Sequence, residues 1–117
     1  AVLLFVSCKP TRTVSFCEGV SPEGKGISCG NRFTTGEVTM LVNQKKRFEV
    51  DALSVKVHER QDVKEKLVDT FNFSVDPEKQ SATTDISFYN EGRFRVTVTG
   101  RDSEVLGEAE IEVIDTY

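Results

Sequence analysis

Ile86-Ser-Phe-Tyr-Asn-Glu-Gly-Arg-Phe-Arg-Val-Thr-Val-Thr-Gly100 is the stretch that decides the fold. Phe94, Val96 and Val98 alternate with Arg93, Arg95, Thr97 and Thr99, the period of two that a half-buried strand requires. Ile86 and Phe88 belong to a preceding strand that ends at Asn90-Glu91-Gly92. The same pattern spreads outward. Downstream, Gly100 to Ser103 reads as a turn, and Ala109, Ile111 and Val113 alternate with Glu108, Glu110 and Glu112. Upstream, Val38, Met40 and Val42 share a face. Leu67, Phe71, Phe73 and Val75 share another, opposite Thr70, Asn72 and Ser74, before a turn at Asp76-Pro77-Glu78-Lys79. Phe48, Val50, Leu53, Val55 and Val57 mark one more strand region, and their change of phase predicts a bend or bulge at Asp51-Ala52. Thr13 to Cys17 is a short β-type run. Glu18 to Gly30, with four glycines and Pro22, reads as loop, and Arg60 to Lys66 as an exposed polar connection. Seven or eight short strands separated by turn chemistry predict an all-β antiparallel sandwich.

A chain of 117 residues is one domain with room for a core. It is 38% hydrophobic and 29% charged, too apolar for disorder. The net charge of -4 is uneven, +3 over residues 1–58 and -7 over residues 59–117. The longest basic run, Lys45-Lys46-Arg47, is too short for a nucleic-acid surface, so nucleic acid is not an expected partner.

Ala1-Val-Leu-Leu-Phe-Val-Ser-Cys8 is a short apolar run ending in a small residue and a cysteine, followed by polar Lys9-Pro10-Thr11-Arg12. It is shorter than the roughly 18 apolar residues of a membrane span. It reads as the tail of a secretory signal, with a first β-strand as the other reading. Residues 1–12 are therefore assigned to signal remnant and tether, and residues 13–117 to the sandwich domain. Three cysteines are an odd number for an exported protein. If Cys8 carries lipid, Cys17 and Cys29 remain as an even pair, expected to form a disulfide in an oxidising compartment. Zinc is the rival reading, but the chain has one histidine and no C-x-x-C spacing.

Catalytic signatures are sparse. A triad needs a base, and His58 lies in a strand pattern beside Glu59, on the solvent side from Val55 and Val57. Asp51, Asp69, Asp76 and Asp85 lack the tight spacing of a calcium loop. The expectation is no enzyme and no cofactor.

The residues from Ile86 to Gly100 resemble the penultimate strand region of bacterial immunoglobulin-like domains, where Gly92 permits the turn, Phe94 fills the space between sheets, and Val96 and Val98 continue the inner face. Phe94 stands where many such domains carry a tyrosine. Phe5-Val6-Ser7-Cys8 resembles the lipobox of bacterial lipoproteins in its looser spirochaete style, which implies lipid on Cys8 and a place at the outer membrane or cell surface. Asn31-Arg-Phe-Thr-Thr-Gly36 is similar to the Asn-Pro-Thr-Thr-Gly loop of chagasin-type cysteine-protease inhibitors, without its proline and without the companion loops.

These readings converge on a membrane-anchored envelope lipoprotein that acts as a non-catalytic protein-binding or adhesion module. A periplasmic structural domain without a host ligand, and a chagasin-like inhibitor, are the alternatives. Within the module, the Gly-rich segment from Glu18 to Phe33 is the expected binding loop, with Lys25 and Arg32 as its charged contacts.

Overall fold

The structure is a computed structural model that describes residues 13–115. Residues 1–12, and with them Cys8 and both readings of the apolar run, lie outside the described residues. Nine strands form among the described residues: β1 Val14–Val20, β2 Gly26–Gly30, β3 Arg32–Thr34, β4 Gly36–Asn43, β5 Ala52–Gln61, β6 Lys64–Ser74, β7 Ser81–Phe88, β8 Gly92–Thr99 and β9 Val105–Ile114. They build two sheets, β2-β1-β4-β7 and β3-β9-β8-β5-β6. With β1-β4-β7 facing β9-β8-β5-β6, the order is that of an immunoglobulin-like sandwich with one extra strand beside the central strand β5. All pairs are antiparallel except β3, which runs parallel to β9 and stitches the first third of the chain to the last strand.

The core lies between the sheets, and the alternating residues fill it. Val38, Met40 and Val42 of β4 are buried against Val55 and Val57 of β5, Phe94, Val96 and Val98 of β8, and Ile111 and Val113 of β9. Gly92 adopts φ +152, which an L side chain rarely accepts, at the crossing from β7 in one sheet to β8 in the other. Phe94 then turns inward, and its ring centroid lies 5.1 Å from that of Phe88.

Several expectations need correction. Glu18 to Gly30 is a hairpin and not a loop, because β1 continues to Val20 and pairs with β2 in unbroken register. Every residue of β2 is exposed, so no alternation marks it in the sequence. Together with the short β3, this raises the count from seven or eight strands to nine.

Arg60 to Lys66 is also a hairpin. Gln61 pairs with Lys64 around a two-residue turn whose first member, Asp62, has φ +56.

The bend expected at Asp51-Ala52 is present, at Val50 and Asp51, but the strand region it was placed in is shorter than expected. Strand β5 starts at Ala52, and Phe48 and Val50 belong to the connection before it. Phe48 is nevertheless buried, because its segment is zipped to the β6–β7 connection: Phe48 N donates to Lys79 O at 2.9 Å and Glu49 N to Pro77 O at 3.0 Å. That closes one end of the core.

The bulge itself is in β6. Val57 pairs with Asp69 and His58 with Leu67, which leaves Val68 as an extra residue. One extra residue inverts the phase, so Leu67 leaves the face of Phe71, Phe73 and Val75 and is half exposed. Phe71 and Phe73 flank the core and are only partly buried, while Phe94 and Phe88 are inside it. The reason is the unequal sheets: β6 overhangs the four-stranded sheet, and among the described residues no strand faces it.

Candidate functional site

The disulfide is the first feature the sequence singled out. Cys17 and Cys29 are directly opposed on β1 and β2 and are bonded, closing a separation of 12 residues. Cys17 is fully buried and Cys29 lies on the exposed strand. Such a bond belongs to an oxidising compartment, which places the domain outside the cytoplasm.

Lys25 and Arg32 are not brought into one site. Lys25 sits in the turn of the hairpin, where its backbone N donates to Ser21 Oγ at 3.1 Å. Arg32 begins β3, in the other sheet, and donates from Nε and Nη2 to Glu112 Oε1, each at 3.2 Å. The five residues of β2 lie between them, about 16 Å of extended chain. Asn31 to Gly36 is likewise held, with Phe33 buried and β3 paired to β9.

Two other surfaces carry more structure. The outer face of the five-stranded sheet is a lattice of charges. Glu65 on β6 accepts from Arg95 Nη2 and lies 3.8 Å from Arg60 Nε. Arg60 also reaches Glu110 at 2.9 Å, and Arg95 reaches Glu108 at 3.5 Å, where Thr97 Oγ1 donates as well. His58, the register partner of Arg95, is half-buried in this lattice, more enclosed than a simple solvent-facing residue. His58 Nδ1 and Arg95 Nε are both shielded and have no protein partner. Glu65→Ala removes the carboxylate on which two arginines converge. The expected cost is about 1 kcal/mol at low salt, shrinking at roughly 1 M salt, where screening acts within about 3 Å. Denaturant melts at the two ionic strengths measure it.

The second surface is the open side of the sandwich, between the edges of β6 and β7. Here a cleft of about 260 Å³ is lined by Val57, Val68, Ile86, Phe88 and Phe94, together with the carboxylates Glu59 and Asp69. Glu59, two residues after Val57 on the same face of β5, accepts from Gln61 Nε2 at 3.3 Å. Asp69 sits one register step before Phe71 on the inner face of β6, directly after the bulged Val68. Tyr89, just past the end of β7, lines the cleft with most of its ring exposed. Among the described residues, none that lines the cleft is cationic. The sequence reading missed this site, since each of its residues looks ordinary in its own strand. The four aspartates weighed as calcium ligands do not gather, and no group of three or more His, Cys, Asp or Glu side chains is close enough to hold a metal among the described residues.

No protein-family model and no curated protein sequence matches this chain. Among solved structures, it is similar to the crystal structure of the PmoD soluble domain from Methylocystis sp. ATCC 49242 (Rockwell), at TM-score 0.52 and 16% identity, over 86% of this chain and 89% of that one. The shared property is the fold. The likeness spans nearly the whole of both chains, so it concerns the complete sandwich and not one sheet of it.

Proposed function

We propose that this chain is a non-catalytic protein-binding module of a bacterial envelope, held at the membrane by lipid on Cys8. The observation that carries this reading is the Cys17–Cys29 bond. It uses two of three cysteines and leaves Cys8 as the odd one, at the end of an apolar run that resembles a lipobox. Lipid attachment gives an odd exported cysteine a chemical role. A single acyl chain anchors weakly, so the several chains of a bacterial lipoprotein matter to the reading. The binding role is supported by the open side of the sandwich, where apolar walls and carboxylates share one cleft.

The test is fractionation of cells that express the full chain. The expected result is that the wild-type protein partitions with membranes and incorporates an alkyne-bearing fatty acid, and that Cys8→Ser moves it to the soluble fraction and abolishes labelling. Labelling that persists in Cys8→Ser contradicts the proposal.

A further inference from the structure

The two sheets do not match. The five-stranded sheet places β6 beyond β7, so among the described residues the inner face of β6 has no strand above it, and Phe71, Phe73 and Val75 remain only partly covered. Strand β7, beside that gap, pairs with β4 on one side and, among the described residues, ends its sheet on the other.

Edge strands are normally guarded against pairing by lysines, prolines, bulges or short length. The other three edges carry such features. Strand β3 has three residues, β6 has the Val68 bulge and two lysines, and β2 is five residues with a glycine at each end. Strand β7, Ser81 to Phe88, is eight residues long, with no lysine, no proline and no register shift against β4. Its one charge is Asp85.

From this juxtaposition we propose that β7 accepts an extended segment of a partner protein, which adds as a fifth strand of its sheet and roofs the overhanging β6. The proposal deepens the binding reading above and rests on it.

The chemistry of the occupant follows from the cleft. Pairing at the β7 edge supplies backbone hydrogen bonds, and alternate side chains of the added strand point into the gap. Inward apolar residues would cover Phe71, Phe73 and Val75. At the Phe88 end the gap meets the cleft, lined by apolar side chains and by Glu59 and Asp69, with no cation among its described lining residues. A lysine or arginine fits both features, its stem along the apolar wall and its charge between the carboxylates. The occupant is therefore an extended segment with alternating apolar residues and one inward cation near the end that meets Phe88. A second copy of this chain fits poorly. Antiparallel self-pairing of β7 would bring the two copies' Asp85 residues close together at the middle of the strand, and like charges at close register are unfavourable.

The test uses the full chain and a blocked peptide, Thr-Lys-Thr-Val-Thr-Val-Thr-Val-Thr, with a twin carrying Glu in place of Lys. Antiparallel addition sets the lysine beside Asp69. The expected result is binding of the Lys peptide about tenfold tighter than its twin, with hydrogen exchange slowed at Ser81 to Phe88. Asp69→Lys, at an exposed position, is expected to reverse the preference while leaving the melting temperature near that of the wild type. Protection confined to β2 or to the outer charge lattice, equal affinity for the twins, or no binding of either overturns the proposal. So does a dimer of the free protein that already protects β7. Lipid labelling at Cys8 is read separately, so failure of this site and failure of the anchored-module reading are distinguishable.

Discussion

Phe94→Ala is expected to lower stability by about 3–5 kcal/mol, while Phe71→Ala and Phe73→Ala each lower it by only about 1–2 kcal/mol. All three residues are phenylalanines at inward strand positions, so their residue type does not separate them. What separates them is the layer above. Phe94 lies beneath the four-stranded sheet, is 6% exposed, and packs against the ring of Phe88. Truncation there leaves a cavity that close-packed strands cannot collapse into. Phe71 and Phe73 project from the overhanging strand, where solvent already reaches part of each ring and water can fill the space left. Urea denaturation of the three variants measures the difference. Equal losses at all three would mean that β6 is roofed as fully as β8. A loss below about 1 kcal/mol at Phe94 would place it outside the core.

Removing the disulfide is the second large effect. Replacing Cys17 and Cys29 together by alanine is expected to cost roughly 3 kcal/mol, because the bond closes a loop of 12 residues' separation that the unfolded chain must otherwise order. For a domain of this size that is a fall in melting temperature on the order of 10–20 °C. Protection of β2 should be lost first, since all five of its residues are exposed and β1 is its only partner strand among the described residues. Gly26 is tied to the same bond. A Cβ built on it would run into the sulfurs of both Cys17 and Cys29. Gly26→Ala, in a Cys8→Ser background, is therefore expected to leave free thiols after oxidative refolding, where the parent leaves none. Complete oxidation of Gly26→Ala would show that the hairpin shifts to make room at little cost.

Much of this fold was legible because its strands alternate. Val38, Met40 and Val42, the Phe94 to Val98 run, and Ile111 with Val113 all face the core as their spacing requires. Legibility failed where local pattern and tertiary placement part company. Strand β2 is held by backbone pairing and a covalent bond on an edge, so its side chains carry no period. Phe48 is buried from a connection, and no strand period announces that. The Val68 bulge inverts half of β6 while Leu67 keeps the spacing of an inner residue, a case where sequence spacing alone misleads. The cleft was the least visible feature of all. It exists because one sheet has five strands and the other four, and no single stretch of sequence holds that fact. Lys25 and Arg32 drew attention as charges in a Gly-rich segment, yet one sits in a turn and the other is engaged by Glu112. Cys17 and Cys29 were found by parity, which needs no geometry.

The most direct measurement of the central claim is the intact mass of the mature protein purified from the membranes of the cells that make it. The proposal expects a chain that begins at Cys8, with residues 1–7 removed, an added mass equal to a diacylglyceryl group with or without a further acyl chain, and two hydrogens fewer for the Cys17–Cys29 bond. An unmodified mass that retains residues 1–7 and a free thiol at Cys8 would contradict it.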